Sequence, residues 1–456
     1  MTKKNPFLTG TLILTLAGFA SRLIGFFYRA FLSQTFGEEG MGIYQLLAPV
    51  MALSFSLTAA GVQTAVSKFT ASEPTTKNYR SSLRVLCAGF LISMPLSVLC
   101  SFILYRYSDG IAAAFLQEVR SAPLLRIFAL SIPFCSLHSL VNGYFYGIKR
   151  AGIPAFTQIA EQLARVGSVF WLCAHLHAKG TAPQIGCAVV GLAVGECFSA
   201  LLSLVILYAR FFRLERRRKR QPAVWHNVSD SALSHSERLA AMLRKIFCLA
   251  APLTASRIAV NILQSVEAVS IPICLTTHGF SQAQALSVYG VLTGMALPLI
   301  FFPTALINSA CVLLLPVISE ADETGSHSTI RSVVKRSVIY CALFGTLCTI
   351  CFLLFGQYAG MLLFKSQMAG SFILTLSFIC PLLYLSGAFS SILHGLGKTG
   401  VTFFSSLAAL SVRLFFVFRL IPRIGIQGYL YGLLLSQLLI TLLDATAVRY
   451  YLGKRG

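Results

Sequence analysis

The chain has 456 residues, 56% of them hydrophobic and 11% charged, with a mean hydropathy of +0.75, which excludes a soluble globular domain of ordinary composition. Its formal charge of +22, from 37 Lys and Arg against 15 Asp and Glu, suits a polytopic membrane protein whose cations crowd one membrane face; nucleic acid is not an expected partner. The 13 cysteines are scattered, and the one close pair, Cys348 and Cys351, has no second pair or histidine to complete a zinc site, so neither metal nor cofactor is expected.

Twelve apolar runs are long enough to cross a bilayer: 7–35, 43–69, 83–105, 122–146, 153–174, 184–210, 246–275, 285–317, 333–356, 369–393, 400–421 and 426–450. The first holds two arginines, Arg22 and Arg29, seven residues apart and so stacked on one helix face. An arginine at membrane depth costs a few kcal/mol, and a stripe of two points to a polar cavity. The fifth run carries Glu161 and Arg165 at i, i+4 with the acid first, a pair that neutralises itself. The sixth and twelfth hold the lone acids Glu196 and Asp444, read first as counter-ions and second as proton or cation sites. Between the sixth and seventh runs lies 213–245, which opens with six cationic residues and reads as a basic linker joining lobes 1–212 and 246–456.

The seventh run repeats the first with more polarity. Ala20-Ser21-Arg22 returns as Ala255-Ser256-Arg257, and Asn261 and Gln264 continue the stripe, with Glu267 one position off it. A second match has a constant offset of 248: Gly147, Gly152 and Arg165 return as Gly395, Gly400 and Arg413, the last without a local acid. Six helices per half give both halves the same orientation, related by an axis along the membrane normal with a cavity between them. Among the in-span prolines, Pro252 and Pro272 flank Arg257 and are the expected hinges.

With the N-terminus inside, 25 Lys and Arg fall on the inner side and 6 on the outer, which places both termini in the cytoplasm. Six remain within spans, Arg22, Arg29, Arg126, Arg165, Arg257 and Arg413, against the four acids Glu161, Glu196, Glu267 and Asp444. This cationic interior suits an anionic amphipathic substrate. It argues against an exporter of cationic drugs, and no phosphate loop or catalytic constellation supports a membrane-embedded sugar transferase.

The opening Gly10-Thr11-Leu12-Ile13-Leu14, the Arg22 to Arg29 stretch, Gly37-Glu38-Glu39-Gly40-Met41-Gly42-Ile43-Tyr44, Glu161-Gln162 with Arg165, and Leu315-Pro316-Val317-Ile318-Ser319-Glu320 resemble the stage V sporulation protein B and polysaccharide flippase branch of the MOP superfamily. That superfamily also contains MurJ-type lipid II flippases and multidrug exporters. The resemblance implies an all-α membrane protein of twelve transmembrane helices in two six-helix lobes. It would lie in the bacterial cytoplasmic membrane as a monomer and move a polyprenyl-pyrophosphate-linked saccharide to the outer leaflet by alternating access, without enzymatic chemistry. By position, Arg22 and Arg29 look like the pyrophosphate-binding arginines of MurJ-type proteins; Arg257, Asn261, Gln264 and Arg413 complete the expected substrate set. Glu267, Glu196 and Asp444 are the expected ion-coupling acids, for Na+ or H+. The chain lacks the further arginines of MurJ-type helices 2 and 8, and its runs stop at twelve where relatives often continue to fourteen.

Overall fold

The computed structural model describes residues 6–72, 79–220 and 235–453, all organised as helices and short connections. In hydrocarbon every backbone polar group needs an internal partner, and a helix supplies one within its own segment. Each of the twelve runs is accordingly helical, but their boundaries differ from those expected.

The first helix, α1 (Pro6–Phe55), runs on through a wide turn at Ser56–Ala60 into α2 (Gly61–Ser72). Its apolar stretch Leu16–Ser72 spans 57 residues, about 85 Å at 1.5 Å per residue and far more than one bilayer. The break between the first two runs is Gly37, whose φ of 70° and ψ of −177° only glycine adopts readily. Next come α3 (Tyr79–Arg106), α4 (Ala122–Gly147), α5 (Gly152–Ala178), α6 (Gly186–Arg220) and α7 (His235–His278). Within the expected linker, α6 continues to Arg220 and α7 begins at His235, and residues 221–234 lie outside the described residues.

The eighth run is not one helix. It divides into α8 (Gln282–Gly290), a wide-turn stretch Val291–Ala296, α9 (Leu297–Phe301) and α10 (Thr304–Glu323), with the chain breaking at Phe302 and Pro303. Proline removes the amide that would have continued the ladder. The expected hinges Pro252 and Pro272, by contrast, lie inside the unbroken α7. α11 (His327–Phe364) is followed by α12 (Gln367–Leu376) and α13 (Ile379–Gly395), bent by 53° within the tenth run, then α14 (Thr399–Arg419) and α15 (Ile426–Gly453). Among the described residues nine helices are long and apolar enough to span a membrane, ten if the bent pair is one span. That count takes the first two runs, joined at Gly37, as one stretch and leaves out α5, which carries Gln158, Glu161, Gln162 and Arg165.

The chain forms two compact units, and neither is contiguous. The first comprises residues up to Ile24 with Leu46–Ile262; the second comprises Gly25–Gln45 with Leu263 onward. In the first, Val62 and Val66 of α2, Leu86 of α3, Leu140, Tyr144 and Phe145 of α4, Leu207 of α6 and Ile246 of α7 make one buried core. The wide turn beside it frees a carbonyl: Ser93 donates to Thr58 O at 2.5 Å, and Ser136 donates to the Thr58 hydroxyl at 3.0 Å. In the second unit, Ile318 of α10, Ile330 of α11, Phe389, Ile392 and Leu393 of α13 and Val448 of α15 form the core. Residues 25–45 are tied into it by Gln34 donating to Leu363 O at 2.7 Å, Ser366 donating to Glu38 at 2.5 Å and Gln45 donating to Thr293 O at 3.2 Å.

Candidate functional site

In the first unit α4, α5 and α6 bring four charged or titratable side chains together. A stripe of small residues permits the approach: on α6 Gly191 and Gly195, four apart, face the Arg165 turn of α5, and a Cβ at Gly195 would lie 3.1 Å from Arg165 Cβ. The next residue, Glu196, thereby enters the space between the helices. Arg165 donates to Glu161 Oε1 at 2.5 Å, the i, i+4 pair expected on this helix, and its guanidinium lies 3.7 Å from Glu196 Oε1. His138 of α4 completes the group, with Nδ1 3.2 Å from Glu196 Oε2 and Nε2 3.9 Å from Glu161 Oε2. None of these side chains is more than 15% exposed, so each charge interacts in a medium that screens it far less than water.

His138, Glu161 and Glu196 each offer a ligand atom within 4.8 Å of the others, close enough to hold a small cation. Charge decides which cation suits. Two carboxylates against one guanidinium leave a single negative charge, which one proton on the imidazole or one monovalent ion balances; a divalent ion would overshoot beside Arg165. His138 was not expected from the sequence. The only available signal was a lone histidine in an apolar run, where neighbour spacing reveals no partner because both acids sit on other helices.

The second unit treats the equivalent positions differently. Arg413 of α14, equivalent to Arg165, finds its acid on α7: its Nη2 lies 3.0 Å from Glu267 Oε2, while Tyr429 of α15 donates to Glu267 Oε1 at 2.9 Å. Glu267 is 5% exposed. Asp444 lies 248 residues after Glu196, so the repeat offset extends to this acid pair. It is fully buried and accepts from Ser390 of α13 at 3.1 Å; among the described residues no arginine or lysine pairs with it.

The expected substrate residues are divided between the units. Arg22, exposed, belongs to the first and Arg29, half-buried, to the second. On α7, Arg257 and Asn261 belong to the first unit and the exposed Gln264 to the second. Arg257 is exposed and donates to Thr64 Oγ1 at 3.5 Å, a neutral partner. Asn261 donates to Ser56 Oγ at 2.6 Å and to Ala52 O at 3.3 Å, at the wide turn. Of the other in-span arginines, Arg126 pairs with Asp109 at 2.5 Å.

A model of the polysaccharide biosynthesis protein family matches residues 7–322. Stage V sporulation protein B of Bacillus subtilis (strain 168) is 26% identical over 448 residues, 98% of this chain and 84% of that protein. The lipid II flippase MurJ of the same strain is 24% identical over 343 residues, 73% of this chain and 61% of that protein. Among solved structures, an inward-facing MATE family multidrug resistance transporter of the MOP superfamily superposes with a TM-score of 0.73 over 99% of this chain and 98% of that one, at 13% identity. A MOP superfamily transporter from Pyrococcus furiosus, described as having a binding pocket of reverse polarity, gives 0.63 at 14% identity, over 99% of this chain and 96% of that one. The all-α polytopic fold is thus that of the MATE-like transporters, across the whole chain.

Proposed function

The chain belongs to the polysaccharide biosynthesis protein family, and from that premise we propose that it is a flippase carrying a polyprenyl-pyrophosphate-linked saccharide from the inner to the outer leaflet of the bacterial cytoplasmic membrane by alternating access. Both termini lie in the cytoplasm on this reading, and no bond is made or broken in the substrate. The observation that carries it is how the in-span arginines are neutralised. Arg126, Arg165 and Arg413 each have a carboxylate at 2.5 to 3.0 Å, whereas Arg257 is exposed and, among the described residues, donates only to a hydroxyl. A guanidinium left with a neutral partner keeps its charge for a ligand, and its planar fork suits two phosphate oxygens. Arg22 of the same unit, on the helix that repeats this one, extends the same recognition, with Asn261 as a neutral hydrogen-bonding neighbour.

The family relatives favour a lipid-linked glycan, and the buried His138, Glu161, Arg165 and Glu196 group supplies a place for a coupling cation. Its single uncompensated negative charge suits one proton or one sodium ion per cycle. Glu267 and Asp444 serve structure on this reading, the first as the counter-ion of Arg413.

The test is flipping of lipid-linked saccharide in proteoliposomes, with the melting temperature measured on the same preparations. Arg257→Ala should lower the rate about a hundredfold or more at unchanged melting temperature, and Arg257→Lys should recover part of it, because ammonium keeps the charge and loses the fork. Full activity of Arg257→Ala, or a loss that follows melting temperature, rejects the reading.

A further inference from the structure

A cavity of about 340 Å³ opens in the first unit where the loop after α4 meets the last turns of α6, away from the His138 group. Its lining is Arg150 and Ile153 on one side and two adjacent stripes of α6 on the other, Val205, Ala209 and Arg213 beside Ile206, Arg210 and Leu214. The order along α6 is informative. Val205, Ile206 and Ala209 come first, deeper in the candidate span Gly186–Arg216, and Arg210 and Arg213 come nearer its end, followed by Leu214. The cavity is therefore apolar toward the membrane interior and cationic toward its edge. No acid lines it.

The cationic end is built rather than merely charged. Arg210 donates to the Tyr144 hydroxyl at 3.3 Å and lies 5.7 Å from the ring centroid; Tyr144 is 1% exposed, so the guanidinium is anchored on the core. Arg150 is placed by Lys149, whose φ of 58° turns the chain sharply before α5. The first turn of α5 lies at Ile153, whose amide already donates to Arg150 O at 3.2 Å, so the helix adds the positive end of its dipole to the three arginines rather than free amides. All three cations are arginine rather than lysine, which favours bidentate contact with phosphate oxygens. The volume is roughly ten times the ~30 Å³ of a water in the liquid, room for a phosphate and its glycerol but not for acyl chains.

We propose that this cavity is a binding site for the phosphate headgroup of an anionic membrane phospholipid, held by Arg150, Arg210 and Arg213 with its glycerol and first methylenes against Ile153, Val205 and Ile206. A free phosphate shares the anionic chemistry but has no use for the apolar wall, and that wall selects the lipid. The site is separate from the substrate arginines and holds whether or not the flippase reading does.

The experiment is lipid retention on the purified full-length protein, delipidated and then exchanged with phosphatidylglycerol or phosphatidylcholine and read by native mass spectrometry. Wild type should retain phosphatidylglycerol at least fivefold better than phosphatidylcholine. Arg213→Ala, on an exposed side chain, should remove most of that preference, and Arg150→Ala with Arg213→Ala should abolish it; Arg210 is left in place because it contacts the core. Arg216→Ala is the matched control: it removes the same charge one turn along, from an arginine that stacks on Phe212 at 4.6 Å and does not line the cavity, and the preference should persist. Equal retention of the two lipids overturns the proposal, as does an Arg216→Ala loss equal to that of Arg213→Ala, which would mean general surface charge. Competition by millimolar inorganic phosphate assigns the site to the free ion and also overturns it. Melting temperatures of all variants in phosphatidylcholine should match wild type within error; a variant that melts early is replaced by Arg213→Gln, for which the same loss of preference is required.

Discussion

The α5 and α14 arginines occupy equivalent places in the two halves, yet they are neutralised in opposite ways. Arg165 has Glu161 on its own helix, with Glu196 at 3.7 Å and His138 behind both, so removing one acid leaves another within reach. Arg413 has lost the acid of its own helix, where Ala409 stands in place of Glu161, and depends on Glu267 of α7. Asp444, equivalent to Glu196, is turned to a serine instead. One backbone arrangement thus supports a redundant, titratable group in one half and a single fixed ion pair in the other. Redundancy is what a site that gains and loses a cation needs, because the charges must remain tolerable in both states. A single pair has one tolerable state and serves to hold helices together.

The sharpest way to break this comparison is to remove one acid from each group. Glu267→Ala should cost about 3 to 5 kcal/mol, since it strands Arg413 beside a buried tyrosine, whereas Glu161→Ala should cost well under half of that because Glu196 takes over the arginine. Chemical or thermal denaturation in detergent decides it, and equal costs would show that the two pairs are alike. Next in size is Gly191→Ala on α6, where a Cβ would collide with Val169 Cγ2. Forcing the helices apart should cost roughly 1 to 3 kcal/mol and weaken the His138 to Glu196 contact.

The comparison is sharpened by function rather than stability in the third case. His138→Gln should flatten the dependence of transport on pH, because it removes the imidazole that can take up the proton, while substrate binding at fixed pH persists. An unaltered pH profile would take the proton away from this group. Smallest of all should be Asp444→Asn, which keeps the shape and the Ser390 contact; a change in melting of no more than a degree or two is expected, with the pH profile of wild type. A flattened profile in this variant instead would move the coupling role to the second unit.

Much of the fold was legible because membrane helices announce themselves by composition: each of the twelve apolar runs is helical, and the Glu161 with Arg165 spacing matches a real contact. What escaped was set by geometry that no local window contains. The chain breaks at Phe302 and Pro303, while the expected hinges at Pro252 and Pro272 lie in an unbroken helix, because whether a proline breaks a span depends on what else satisfies the freed carbonyl. His138 escaped because its partners are 23 and 58 residues away along the chain. The offset of 248 reaches that far: extended past Arg413, it pairs Glu196 with Asp444.

The interleaving of the two units bears on how the protein is made. Residues 25–45 leave the ribosome early, yet the groups that hold Gln34, Glu38 and Gln45 are the Leu363 carbonyl, the Ser366 hydroxyl and the Thr293 carbonyl. This segment must wait in the membrane through the synthesis of more than two hundred residues before it can be built into its unit. Biogenesis therefore has an obligatory late step, and a chain severed in the basic region after α6 would yield an N-terminal fragment carrying part of the other unit with nothing to receive it. Rejoining the two fragments by co-expression should succeed only when both are present during insertion, and not when either is made alone and mixed after solubilisation.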